Sequence, residues 1–288
     1  MLLLPHIITR YVGCIGTIRS CVRFRNYLNG IMEIDCGNQM KNETDFKLGR
    51  RSFVLSLVPA FFHRDIFRRP ANEELCGIEF QVVRYAWRSP RRYLLIHGDE
   101  DTARQILSAY MNDHDGIAYL VTGKDRDVTI DGAKIDPNRM FSRVGAEKSI
   151  RELNPNLDPL KIDAALDFLD HERERLVRRL TPEKGSRLVA LHNNRDYSVN
   201  NEIAASDQTS LKQPTQPGNF FLCTDAHDYD ILKQSPFNVV LQSKPDPDDG
   251  SLSRLAAKRG FRYINLECSI GSYEDQMQML RWLDDRLP

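Results

Sequence analysis

The sequence has only six cysteines, with no C-x-x-C pair and no regular spacing. Neither a disulfide framework nor a cysteine-ligated zinc site is indicated. There is no apolar run near the ~20 residues that a membrane-crossing helix needs. Net charge is also missing, because 40 Lys and Arg balance 40 Asp and Glu. That balance gives no bulk field to attract nucleic acid. Apolar residues are not scarce: at 41% of the chain they exclude a chain disordered throughout. At 288 residues there is room for one large folded domain or two small ones.

The pattern divides near residue 75. Residues 1–75 mix apolar residues and arginines without a clean period, then turn polar. Within them, Arg50-Arg51-Ser52 followed by Phe53-Val54-Leu55 is similar to a twin-arginine export signal over residues 49–60. That reading makes the protein exported or periplasmic and moves the start to Met32 or Met40. The apolar core is short for a signal, and a basic-apolar segment packed on the domain reads the same. From Cys76 onward, strand-like runs (77–85, 93–96, 117–122, 186–191, 220–224, 238–242, 262–267) alternate with helical patterns (101–113, 146–153, 159–180, 226–234, 251–258, 273–287). Such alternation argues for an α/β domain over 76–288, with a mainly parallel, mixed sheet and helices on both faces. Glu172, Arg173, Glu174, Arg178 and Arg179 read as a solvated helix face. The polar stretch 193–218 is too long for a simple connector and points to a functional or mobile loop.

Chemistry concentrates where predicted strands end. His97-Gly98-Asp99-Glu100 follows the run Tyr93–Ile96 and opens a helix with Ala103, Ile106, Leu107 and Tyr110 on one face. An imidazole and a carboxylate on one tight turn can converge on a metal. They can equally be a loop histidine and a helix-start carboxylate favoured by the dipole. His192 closes a second apolar run and is the natural third ligand. Glu267 closes a third; a carboxylate there needs either an ion-pair partner or a role as a proton carrier. Ligands of α/β sheets bind beyond the carboxyl ends of strands, which favours the functional reading of all three. Asp136-Pro137-Asn138-Arg139-Met140-Phe141-Ser142-Arg143 follows the turn signal Asp131-Gly132. An arginine fork in such a segment grips a carboxylate, although a surface loop would read alike.

Taken in order, these pieces resemble the zinc carboxypeptidase family and its relatives, the murein-peptide amidases and the aspartoacylase/succinylglutamate desuccinylases. The resemblance rests on His97-Gly98-Asp99-Glu100, on Asp136 to Phe141, on Ala190-Leu191-His192 and on Glu267 near the carboxyl terminus, and covers roughly residues 80–288. It implies a zinc-carboxypeptidase-like fold, Zn2+ held by His97, Glu100 and His192, and Glu267 as general base. It further implies that Asn138 and Arg139 bind a substrate carboxylate, with Arg143 and Arg195 as possible second anchors. Tyr197, in the long loop after His192, is the candidate for the loop tyrosine that some members carry. Pro137 and Ala190 depart from the family pattern, and the short chain between Glu100 and His192 favours a compact pocket over a long peptide groove. The implied function is hydrolysis of an amide next to a free carboxylate, in a peptide or an N-acyl amino acid. The alternative is a non-catalytic descendant that binds a carboxylated ligand.

Overall fold

The computed structural model describes residues 70–85 and 89–287, so the candidate signal at residues 49–60 lies outside the described residues. In chain order the elements are β1 (Ala71–Leu75), β2 (Ile78–Tyr85), β3 (Arg92–Leu95), α1 (Asp101–Tyr110), β4 (Gly116–Val121), β5 (Val128–Ile130), β6 (Ala133–Ile135), α2 (Arg143–Leu153) and α3 (Pro159–Leu180). They continue with β7 (Arg187–Asn194), α4 (Val199–Glu202), β8 (Gln208–Ser210), β9 (Phe220–Cys223), α5 (Ala226–Leu232), β10 (Asn238–Leu241), α6 (Leu252–Arg259), β11 (Arg262–Ser269) and α7 (Tyr273–Arg286).

Nine strands form one sheet in the order β1-β2-β4-β3-β7-β11-β9-β10-β8. Its centre, β4-β3-β7-β11, is parallel; β2 joins β4, and β9 joins β11, antiparallel. The fold is therefore α/β with a mixed sheet. Central strands bury both faces, which is why β7 is buried along its whole length and its Leu188–Leu191 reads as a continuous apolar run. Alternate residues feed opposite faces. Leu94, Leu188, Ala190 and Tyr263 pack with Ala146, Ile162 and Leu252 of α2, α3 and α6. Tyr93, Leu95, Val189 and Leu266 pack with Ile106, Tyr229 and Leu280 of α1, α5 and α7.

Local signals set several boundaries. Helix α3 begins at Pro159, with the Asp158 side chain accepting from the Leu160 N–H, and it spans the residues that the periodicity predicts. Helix α1 buries Ala103, Ile106, Leu107 and Tyr110, the face anticipated from spacing. Asp131 and Gly132, at φ 48° and 81°, turn β5 into β6.

Three features depart from the sequence reading. Ala71–Leu75, counted with the amino-terminal extension, pairs with β2 as the sheet's edge strand β1. The polar stretch after His192 is structured as well: it holds α4 and the edge strand β8, which pairs with β10. Arg173 is not a solvated residue, because its Nε donates to the Met140 carbonyl at 2.7 Å and its side chain is 13% exposed.

Candidate metal centre and active-site cavity

Strands β7 and β11 run side by side with His192 opposite Glu267 in register. By alternation both point to the face covered by α2, α3 and α6. His97 and Glu100 come from the turn between β3 and α1. Gly98 is needed here for space rather than for a left-handed backbone. A β-carbon on it would sit 2.4 Å from the Asp125 carbonyl oxygen, and its own N–H donates to that oxygen at 3.0 Å.

The three residues converge. His97 Nδ1 lies 2.9 Å from Glu100 Oε1 and 3.2 Å from His192 Nδ1, and His192 Nδ1 lies 3.3 Å from Glu100 Oε1. All three side chains are buried. Ligand atoms placed tetrahedrally at about 2.0–2.1 Å from zinc stand about 3.3 Å apart, so the triangle is close to one face of such a coordination shell. Glu100 stands at the N-cap of α1 but makes no side-chain cap, and its Oε2 is buried without a partner. The carboxylate is thus committed to the histidines, not to the helix. Two imidazole nitrogens and a carboxylate oxygen aimed at one point, with an orphaned oxygen beside them, fit a metal ion.

Protonation in the metal-free site follows the same contacts. Burial alone would lower the His97 pKa. Hydrogen bonds to Asp136 and Glu100 and the charges of those carboxylates overcome it and raise the value to about 9. The Glu100 carboxyl, which burial would raise, is brought down to about 2 by the two histidines. His97 Nε2 lies 2.9 Å from Asp136 Oδ1, an outer carboxylate that fixes the ring's tautomer and orientation.

A cavity of about 470 Å³ opens in front of this group. Glu267 lines it, bracketed by the Asn194 side chain at 3.0 Å and the Asn265 side chain at 3.1 Å. Burial pushes its carboxyl above the usual carboxylate range. Asn138 and Arg139 also line the cavity, in the single 3-10 turn Pro137–Arg139. That turn is pinned from several sides: Asp136 Oδ1 accepts from the Asn138 N–H, Asn138 Oδ1 accepts from the Leu252 N–H, and Phe141 N–H donates to the Gly250 carbonyl. Arg139 is 39% exposed and lies 3.7 Å from Asp249.

Tyr197 and Arg195 line the same cavity. The Tyr197 hydroxyl donates to Glu202, and its ring packs on Phe220 with centroids 5.7 Å apart. Arg143 is placed elsewhere. As the first residue of α2 it is bound to Asp167 and Asp170 of α3 and is not in the cavity wall, so it is a tie between two helices.

Several residues in or behind the cavity wall have no sequence signature. Arg126, in the loop before β5, stands 3.5 Å from Glu100 and 3.9 Å from Asp136. Behind His192, the Gln276 side chain donates to the His192 carbonyl and accepts from Asn193, whose Oδ1 accepts from the Ala103 N–H. This chain of bonds ties β7 to α1 and α7, and Gln276 is fully buried. A lone Gln in an amphipathic helix gives no warning of it. The N-x-E spacing of Asn265 and Glu267 was the one readable hint, since residues two apart in a strand share a face.

No protein-family model matches the sequence, and no curated protein matches it. Among solved structures, a protein provisionally named a metallopeptidase from Shewanella denitrificans OS217 is similar at a TM-score of 0.40 and 10% identity, over 76% of this chain and 82% of that one. A provisionally named carboxypeptidase from Burkholderia mallei ATCC 23344 is similar at a TM-score of 0.38 and 10% identity, over 79% and 66%. Likeness this slight carries nothing about what individual residues do.

Proposed function

We propose that this protein is a zinc-dependent hydrolase that cleaves an amide bond next to a free carboxylate, in a small peptide or an N-acyl amino acid. The observation that carries the reading is the convergence of His97 Nδ1, Glu100 Oε1 and His192 Nδ1 in the wall of a cavity that Glu267 also lines. Two imidazoles and one carboxylate are the ligand set of a catalytic zinc that keeps a position open. Held by these residues, zinc would polarise the scissile carbonyl and activate a water.

The chain's own residues carry the rest. Glu267 takes a proton from the attacking water and returns it to the departing nitrogen, and a carboxyl held above its ordinary range by burial is suited to both transfers. Arg139 and Asn138 hold the free carboxylate of the substrate and so place the amide. Arg126 stands where it can face negative charge developing on the carbonyl oxygen. The products are an acid and an amine.

The test is elemental analysis of wild type beside His192→Ala, with hydrolysis of N-acyl amino acids and short peptides followed in parallel. About one zinc per chain that falls sharply in the variant, together with amide hydrolysis that depends on it, is the expected result. Protein that takes up no zinc after incubation with the metal overturns the reading.

A further inference from the structure

The cavity extends past the metal centre towards the carboxyl ends of β9 and β10, and the chemistry of its wall changes there. Leu222 lies on its floor, within a small apolar cluster of Val199, Phe220, Leu222 and Val240 against which Tyr197 packs. Beyond that strip stands Glu202, at the end of α4. One of its oxygens accepts from the Tyr197 hydroxyl and the other from the Gln242 amide. Both donors are neutral, and among the described residues Glu202 forms no ion pair. Its two oxygens offer about four lone-pair sites, so two remain free to accept. Of the other acidic side chains of the wall, Glu100 and Asp136 engage His97 and Arg126, Asp249 faces Arg139, and Glu267 is held by two asparagines, while Asp99 and Asp196 are exposed to solvent rather than set at the end of an apolar strip. Carboxylates outnumber guanidiniums seven to three along the lining, so a divalent ion at the metal centre would still leave the cavity electronegative.

An apolar strip that ends in a carboxylate with no counter-cation has the shape of a slot for an amphipathic cationic chain. The methylenes lie over Leu222 and the Tyr197 ring, and the charged end meets Glu202. We infer that the substrate residue bearing the free carboxylate carries a long side chain ending in an ammonium or guanidinium, and that Glu202, set by Tyr197 and Gln242, is the residue that selects it. This inference rests on the reading of Arg139 as the carboxylate anchor. It adds the side-chain class, which the metal and the anchor do not specify.

The test compares binding of lysine, arginine and norleucine to zinc-loaded protein by calorimetry, in wild type and in Glu202→Gln. Norleucine keeps the α-groups and the methylenes of lysine and lacks only its ε-ammonium. The expected result is about tenfold or greater preference for lysine or arginine over norleucine, as for a charge-assisted hydrogen bond, falling to near equality in Glu202→Gln. Equal binding of lysine and norleucine by wild type overturns the inference without any variant having to fold. A preference that survives in Glu202→Gln overturns it as well. The hydrolase reading is judged separately, by zinc content and by cleavage of an N-acetylated norleucine. Uptake of zinc and cleavage of that substrate without any cation preference would sink the slot and leave the hydrolase standing.

Discussion

Asp136 uses a single oxygen for two tasks: Oδ1 accepts the Asn138 N–H and also lies 2.9 Å from His97 Nε2. The geometry of the Asn138-Arg139 turn and the orientation of the His97 ring are thereby coupled through one atom. Asp136→Asn is expected to weaken zinc binding by about 10–100-fold while the protein stays folded, measured by competition with a chelator. In the proposed hydrolysis, Glu267 sets activity against stability. Its carboxyl sits above its ordinary value of 4.5 through burial, which the His192 charge opposes, the Glu100 charge reinforces, and the Asn194 and Asn265 hydrogen bonds oppose. The folded metal-free protein therefore holds that proton more tightly than the unfolded chain. Its contribution to stability is present at low pH and is lost as pH rises from 4.5 through the folded value. For the proposed hydrolysis, Glu267→Gln is expected to reduce turnover by about 10²–10⁴-fold. The same change should stabilise metal-free protein at neutral pH by ~0.5–2 kcal/mol and remove that slope. Thermal melts at pH 5 and pH 8, with the metal removed, would show both effects.

Helices α1 and α7 hold His192 from behind. Gln276 supplies one amide to the His192 carbonyl and accepts one proton from Asn193, whose own oxygen takes the Ala103 N–H. Gln276→Leu preserves approximate size but leaves these buried groups without partners. It is expected to cost about 1–3 kcal/mol of stability and to weaken metal binding, read by denaturant titration and metal competition on the same preparation. A second contact between elements positions the Asn138-Arg139 turn. Gly145 of α2 lies against Gly250, so that a β-carbon at residue 145 would come within 2.2 Å of the Gly250 α-carbon. A β-carbon on Gly250, which has φ +79°, would likewise come within 2.2 Å of the Arg139 carbonyl oxygen. Helix α2, the 249–251 loop and the Asn138-Arg139 turn are therefore held together by the absence of side chains at Gly145 and Gly250 as well as by the hydrogen bonds from Phe141 N–H to the Gly250 carbonyl and from Leu252 N–H to Asn138 Oδ1.

Across the sheet from the metal centre, the whole domain is tied by a buried polar cluster. Asp284 of α7 accepts from the hydroxyls of Tyr93 and Tyr110, each at 2.5 Å, and from Arg187, which is fully buried at the start of β7. One carboxylate thus joins β3, α1, β7 and α7. Asp284→Ala would leave the Arg187 charge buried without compensation, and its expected cost is about 3–5 kcal/mol. Chemical denaturation of the metal-free protein would measure it. If the loss is well below 1 kcal/mol, water reaches Arg187 and the cluster is not the tie described.

The alternation of strands and helices, the buried face of α1, the ends of α3 and the identity of His97, Glu100, His192 and Glu267 as a set were determined by the sequence itself. Each depends on periodicity or on residue type at a strand end, which are local properties of the chain. Tertiary structure decided what no local pattern encodes. It brought His97 and Glu100 to within hydrogen-bonding distance of His192, 92 to 95 residues away. It turned Arg143 towards α3 and away from the cavity, and it buried Arg173 against the Met140 carbonyl. It also drew Asp136, Gln276 and Glu202 into the site's surroundings. Polar side chains such as these are equally acceptable to a solvated surface, so their roles follow only from which elements the sheet order makes neighbours.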